Sequence, residues 1–224
     1  MAVKAYLYDA KGRDREVALE AEAIKTCSKH RLLWIDVDSR DAADIRAVAG
    51  KLGIEASNIG ALLKPASARL ENFGAYTQFG VDTAPATLAD ENVPPQNHGS
   101  HRQRSSRLDF LVSEKWVLTI HDGKLEFIDT FREQDVGETT IGALTTHDFA
   151  ASLLDAHLEA FFEEIARIEA MVDRLDEQAL TRPSSGTLLG RMVSLRRRVS
   201  RLRTLLSAQR AVFYALSRPD LQIA

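Results

Sequence analysis

Between Asp148 and Leu180 the chain carries nine acids, Asp148, Asp155, Glu159, Glu163, Glu164, Glu169, Asp173, Asp176 and Glu177, against Arg167 and Arg174. Clustered Asp and Glu are hard-oxygen ligands suited to magnesium or calcium. Most such acids simply face solvent, so the cluster alone singles out no ligand. Between Ser184 and Arg218 come eight arginines, Arg191, Arg196, Arg197, Arg198, Arg201, Arg203, Arg210 and Arg218, and no acid. Three uses of this run compete: a solvated face paired with the acidic segment, a stripe that neutralises nucleic-acid phosphates, and a helix lying on a membrane surface. The acidic neighbour would repel a polyanion, and Phe213 and Tyr214 are the only aromatics among these arginines. Pairing with the acidic segment is therefore the expected use, and no nucleic-acid partner is expected.

Other reactive side chains are sparse. His98 and His101 invite a zinc reading, but they sit in a polar loop without Cys or a clear third ligand. His121-Asp122, at the end of a strand-like run, has the composition of an acid/base pair, yet no nucleophile or third partner accompanies it. Cys27 stands alone, so no disulfide forms within the chain, and a packed thiol is expected there. Trp34 and Trp116 lie in apolar runs and read as core. A phosphate-cradling glycine loop, a G-x-S-x-G elbow and an H-E-x-x-H pair are all missing from the sequence. These absences lead us to expect no enzyme and no required cofactor.

The 224 residues are 45% hydrophobic with a net charge of −3, enough to bury a core without favouring a strongly charged partner. The N-terminus lacks the apolar core of a signal peptide. No stretch reaches the roughly 18 apolar residues of a membrane span, so the chain reads as soluble. Its abrupt end, Asp220-Leu221-Gln222-Ile223-Ala224, reads as a truncation.

Strands are expected at Val3 to Tyr8, Arg15 to Leu19, Leu32 to Val37, Arg69 to Phe73, Tyr76 to Val81, Arg107 to Val112 and Lys115 to His121. Ile45, Val48, Ala49 and Leu52 mark a helix that Asp38-Ser39 would cap and Gly53 would end. Short helices are expected from Ile54 to Leu63 and from Leu125 onward. A mobile loop is expected over about residues 84–106, which hold Pro85, Pro94, Pro95 and Gly99.

Beyond this, apolar residues recur at alternating steps of three and four, from Ala151 through Leu158, Ile168 and Leu175 to Ala179, and again from Leu188 through Leu195, Leu202 and Gln209 to Leu216. Both are heptad seams. Thr181-Arg182-Pro183-Ser184-Ser185-Gly186 is too short for anything but an antiparallel hairpin. Acid faces are expected to oppose arginine faces along a rod of about 50 Å. The fold class is therefore α+β: an N-terminal mixed α/β sheet domain over residues 1–145, then a long antiparallel helical stalk over residues 146–224.

Several of these segments resemble one family. Asp148 to Ala156, running on through Phe161-Phe162-Glu163-Glu164-Ile165 to Leu175-Asp176-Glu177, is similar to the first long helix of the CorA divalent-cation transporters. Leu188 to Arg197 and Gln209-Arg210-Ala211-Val212 are similar to the next helix, while Trp34-Ile35-Asp36-Val37, Arg69 to Phe73 and Trp116 to His121 follow the order of the family's sheet. The resemblance implies the cytosolic domain of a homopentameric membrane transporter that can bind divalent ions, magnesium or zinc, between subunits, with long helices that shift when those ions are lost. The pore and its Gly-Met-Asn signature would lie beyond this sequence, with the domain on the cytoplasmic side of the cell or inner membrane. Residue by residue, Asp155 falls at a metal-facing acid of the first long helix. The family's adjacent Glu-Asp pair falls at Gly60 and Ala61, which carry no ligand. A further acid falls at Pro219, with Asp220 one step on. Asp155 and Asp220 are thus the metal-ligand candidates, and the missing pair favours the zinc-linked ZntB branch. A stand-alone helical scaffold that binds a partner along its seam is the alternative.

Overall fold

In the computed structural model the described residues are 3–28, 30–63, 70–84, 107–134, 139–181 and 186–218. Seven strands form one sheet: β1 (Val3–Asp9), β2 (Arg15–Val17), β3 (Arg31–Val37), β4 (Leu70–Asn72), β5 (Thr77–Asp82), β6 (Arg107–Val112) and β7 (Trp116–Ile120). Their order is β2-β1-β3-β7-β6-β5-β4. Only β3 and β7 pair in parallel, with Ile35 opposite Leu118; every other neighbour is antiparallel. The helices are α1 (Ala21–Lys25), α2 (Ala42–Leu52), α3 (Ala56–Leu63), α4 (Glu126–Gln134), α5 (Thr146–Thr181) and α6 (Gly186–Leu216).

The sheet is covered on both sides, which is why β3 and β7 read as unbroken apolar runs. Side chains alternate across a strand. Leu33, Ile35 and Val37 of β3 join Leu118 and Ile120 of β7 under Ile45, Val48 and Ala49 of α2 and Leu62 of α3. Leu32 and Trp34 face the other way, into a core with Phe110, Ile128, Phe149, Leu153 and Val212. The first turns of α5 and the last turns of α6 are therefore part of the sheet's own core, and the long hairpin is seated on the sheet.

Local signals account for most boundaries. Gly53 ends α2 at φ 72, a left-handed position that glycine fills without strain. The cap at the other end differs from expectation: Asp41, not Asp38-Ser39, precedes the helix, and its carboxylate accepts the Ala43 N–H at 2.8 Å. Ser39 instead accepts the Asp41 N–H at 3.0 Å, shaping the approach. α5 starts at Thr146 because Thr145 caps it. Its hydroxyl accepts the Asp148 N–H at 3.1 Å and donates to the Asp148 carboxylate at 2.7 Å. α1 and a short 3-10 turn at Ile141–Ala143 were not expected from sequence. The turn packs tightly under β1, since a Cβ on Gly142 would collide with the Ala10 nitrogen and the Tyr8 oxygen. The loop expected over about residues 84–106 lies, from residue 85 on, outside the described residues. No helix among the described residues is long and apolar enough to cross a membrane.

Candidate functional site: the long helical hairpin

Three polar contacts run along the facing sides of α5 and α6, and their order gives the antiparallel sense. His157 meets Gln209, Glu164 meets Arg198, and Gln178 meets Arg191. Apolar packing fills the space between the first two and just beyond the second. Phe161 and Ile168 of α5 bury against Leu202 and Leu205 of α6.

The contact nearest the sheet is neutral. The Gln209 amide nitrogen donates to the Asp82 backbone oxygen of β5 at 2.8 Å. Its carbonyl oxygen is then free to accept from His157 Nε2 at 3.2 Å. Both side chains are fully buried, and one glutamine thereby ties α6 to α5 and to the sheet. Burial pushes the His157 imidazole down to about 4, against a small opposing effect of the Gln209 bond. The ring is therefore neutral near pH 7, with Nδ1 buried and without a hydrogen-bond partner. Phe161 meets it edge-on at 5.1 Å.

The second contact is ionic. Glu164 is 1% exposed. One carboxylate oxygen accepts a short hydrogen bond from Arg198 Nε, and the other lies 3.6 Å from Arg167 Nη1. Arg198 also approaches the Met171 sulfur at 3.6 Å. A buried carboxylate of this kind is tolerated because the guanidinium accompanies it; removing one partner costs about 3–5 kcal/mol.

Further out, the seam opens. Val172, Met192 and Val199, at seam positions by sequence, are 39%, 54% and 45% exposed. Leu180 and Leu189 reach 86% and 68%. The expected pairing of acid and arginine faces along the whole length does not occur. Among the described residues, Glu164–Arg198 is the ion pair that joins the two helices. Asp155, Glu159, Glu169, Asp173, Asp176 and Glu177 are exposed and have no ion-pair partner among the described residues, and the same holds for Arg196, Arg197, Arg203 and Arg210. Two helices in contact through an apolar seam point their remaining side chains outward, so opposite net charge does not bring those charges together.

The other candidates resolve as structure. His121 is buried, with Nδ1 2.6 Å from the Gly123 oxygen and Nε2 3.2 Å from Asp36, so neither nitrogen is free for acid/base work. Asp36 also accepts from Thr119 at 2.6 Å and lies 3.4 Å from Arg132, whose guanidinium stands over the Tyr6 and Trp34 rings. Asp122 lies 3.3 Å from Arg40, which donates to Asp109 at 2.6 Å and to the Leu62 oxygen at 2.7 Å, fastening α3 to the sheet. Cys27 is half-buried, its thiol pushed up by burial. Trp34 and Trp116 are core. His98 and His101 lie outside the described residues.

Asp155 is exposed on the sheet-proximal half of α5, and Gly60 and Ala61 are exposed on α3 without a ligating group. Asp220 and Pro219 lie outside the described residues. Among the described residues no three His, Cys, Asp or Glu side chains converge where a metal ion could sit. The polar rungs were only faintly marked in sequence. Gln209 interrupts an apolar seam, and His157 falls between the seam residues Leu154 and Phe161.

Residues 29–223 match the family described as CorA-like Mg2+ transporter protein. No curated protein matches the sequence. Among solved structures, the full-length CmaX protein superposes with a TM-score of 0.71 at 19% identity, over 98% of this chain and 64% of that one. The soluble domain of CorA from Methanocaldococcus jannaschii gives 0.70 at 16% identity, over 98% and 81%. The cytoplasmic domain of ZntB from Vibrio parahaemolyticus RIMD 2210633 gives 0.68 at 9% identity, over 100% and 82%. At these identities the likeness is one of fold, and the chain spans less than two thirds of the length of CmaX.

Proposed function

This chain belongs to the CorA-like Mg2+ transporter family, and from that premise we propose that it is the cytosolic regulatory domain of a divalent-cation transporter. The observation that carries the reading is the family match over residues 29–223, joined to a fold shared with the soluble domain of one CorA and the cytoplasmic domain of one ZntB. The proposal extends to a homopentamer at a cell membrane, with this domain on the cytoplasmic side. The cation is magnesium or zinc, and Gly60 and Ala61, bare of carboxylates, favour the zinc-linked branch.

In this reading the hairpin is the moving part. It is anchored at the sheet by Gln209 and His157, braced by Glu164–Arg198, and looser beyond. A rigid base and a loose tip make an element with more than one accessible arrangement, and an ion biases such an element only by binding one arrangement more tightly. Asp155 supplies one carboxylate, and Asp220 is proposed as a second. One chain holds no three-ligand cluster among its described residues, so an ion at Asp155 needs ligands from a second copy. Binding is then weak, in the millimolar range, as expected for few converging carboxylates.

Calorimetric titration with magnesium and with zinc tests the sensing part. Millimolar binding that weakens in Asp155→Asn is the expected result. Nanomolar magnesium binding, or binding indifferent to Asp155, contradicts it.

A further inference from the structure

The unpaired charges of the hairpin are arranged, not scattered. On α5, Asp155, Glu159, Phe162, Glu169, Asp173 and Asp176 fall on one face, because their spacings are sums of alternating steps of four and three. On α6, Arg196, Arg203 and Arg210 are seven residues apart and share a face with Met192 and Val199. Glu169 and Asp176 keep the same seven-residue step, about 10 Å along a helix. Each stripe is long, about 21 Å from Arg196 to Arg210 and about 32 Å from Asp155 to Asp176. Each also carries exposed apolar surface: Phe162 is 67% exposed, Met192 54% and Val199 45%. None of these charged groups has an ion-pair partner among the described residues.

We infer that the acidic stripe of α5, from Glu159 to Asp176, docks on the arginine stripe of α6 from a second copy of the chain, leaving Asp155 at its end for the ion. The inference names the surface behind the self-association proposed above and rests on that reading. A polyanionic partner fits less well, because the acidic stripe stands on the neighbouring helix of the same hairpin. A second copy answers both stripes at once. The contact joins two different patches, so it is heterologous and propagates from copy to copy until a ring closes. Matched seven-residue spacing sets the register, and Phe162, Met192 and Val199 supply the apolar centre that exposed charges by themselves lack.

The test is charge reversal in the whole 224-residue chain, read by sedimentation equilibrium. Reversing α5 alone (Glu169→Arg, Asp173→Arg, Asp176→Arg) or α6 alone (Arg196→Glu, Arg203→Glu, Arg210→Glu) is expected to weaken self-association by about tenfold or more. Combining the two sets restores complementarity, and association is expected to return to within about threefold of the original. A wild-type chain moved from about 0.02 M to about 1 M salt should dissociate, which keeps the test decisive if a variant fails to fold. An oligomer indifferent to both reversals, or strengthened by salt, overturns the stripes and leaves assembly standing. A chain that stays monomeric up to about 1 mM overturns the contact, whereas the transport reading is judged separately by ion flux.

Discussion

At the scale of single residues, two buried groups on α5 make different demands on the fold. Glu164 is buried in an ion pair and depends on Arg198. Arg198→Ala should lower stability by about 3–5 kcal/mol, measured by urea denaturation, since it leaves a buried carboxylate with only the more distant, half-exposed Arg167 beside it. Replacing both residues with apolar ones of similar size should cost much less. A loss below about 1 kcal/mol for Arg198→Ala would place the carboxylate in water rather than in the seam. His157 is neutral, and its demand depends on pH. Its folded-state value of about 4 lies below the ordinary imidazole value, so the unfolded chain takes up a proton that the folded chain refuses. Stability from this residue is complete above about pH 6.5 and falls as pH drops toward 4, by about 3 kcal/mol in all. The pH 7 to pH 4 loss should therefore be smaller in His157→Gln by about that amount. Equal losses in the two proteins would show that the ring accepts its proton without leaving the seam. Neither role was plain in the sequence, where Glu164 is one acid among nine and His157 one of six histidines.

At the scale of elements, what could be read from sequence is what depends on neighbours in the chain. The Leu32 to Val37 run is β3 because both faces of the sheet are covered. The start of α2 shows the limit of local reading. Asp38, Ser39 and Asp41 are all competent caps, and the packing of Ile45 and Val48 on the sheet selects Asp41. The heptad seam shows a second limit. The pattern is equally good at Leu154 and at Val172, yet only the former is buried, because the sheet supports one end of the hairpin. Periodicity marks the face of a helix that can pack, and the partner decides how much of it does. Hydrogen exchange should follow this gradient. Amides around Gln209 and Val212 should exchange slowest within α6, and those around Met192 and Val193 fastest. Uniform protection along α6 would mean that the distal half is covered.

At the scale of the whole molecule, the α+β class was legible, and the way charge is distributed was not. Opposite charge on consecutive helices suggested mutual pairing, but an antiparallel seam aims most of those groups at solvent. A net charge of −3 conceals two separated stripes. Of the candidate ligands, Asp155 is exposed on α5 like most acids of that helix and Asp220 lies outside the described residues, and no cluster of ligands from one chain is found among the described residues, because a surface acid is marked as a ligand only by the groups that converge on it. Ion sensing, hairpin movement and assembly all follow from one claim, that this domain regulates a cation pathway. The most direct measurement is ion flux into lipid vesicles holding the complete transporter. Magnesium or zinc should enter down its gradient, and Asp155→Asn should shift the internal concentration at which flux slows. Vesicles that admit neither ion, with the protein folded and inserted, would contradict the account.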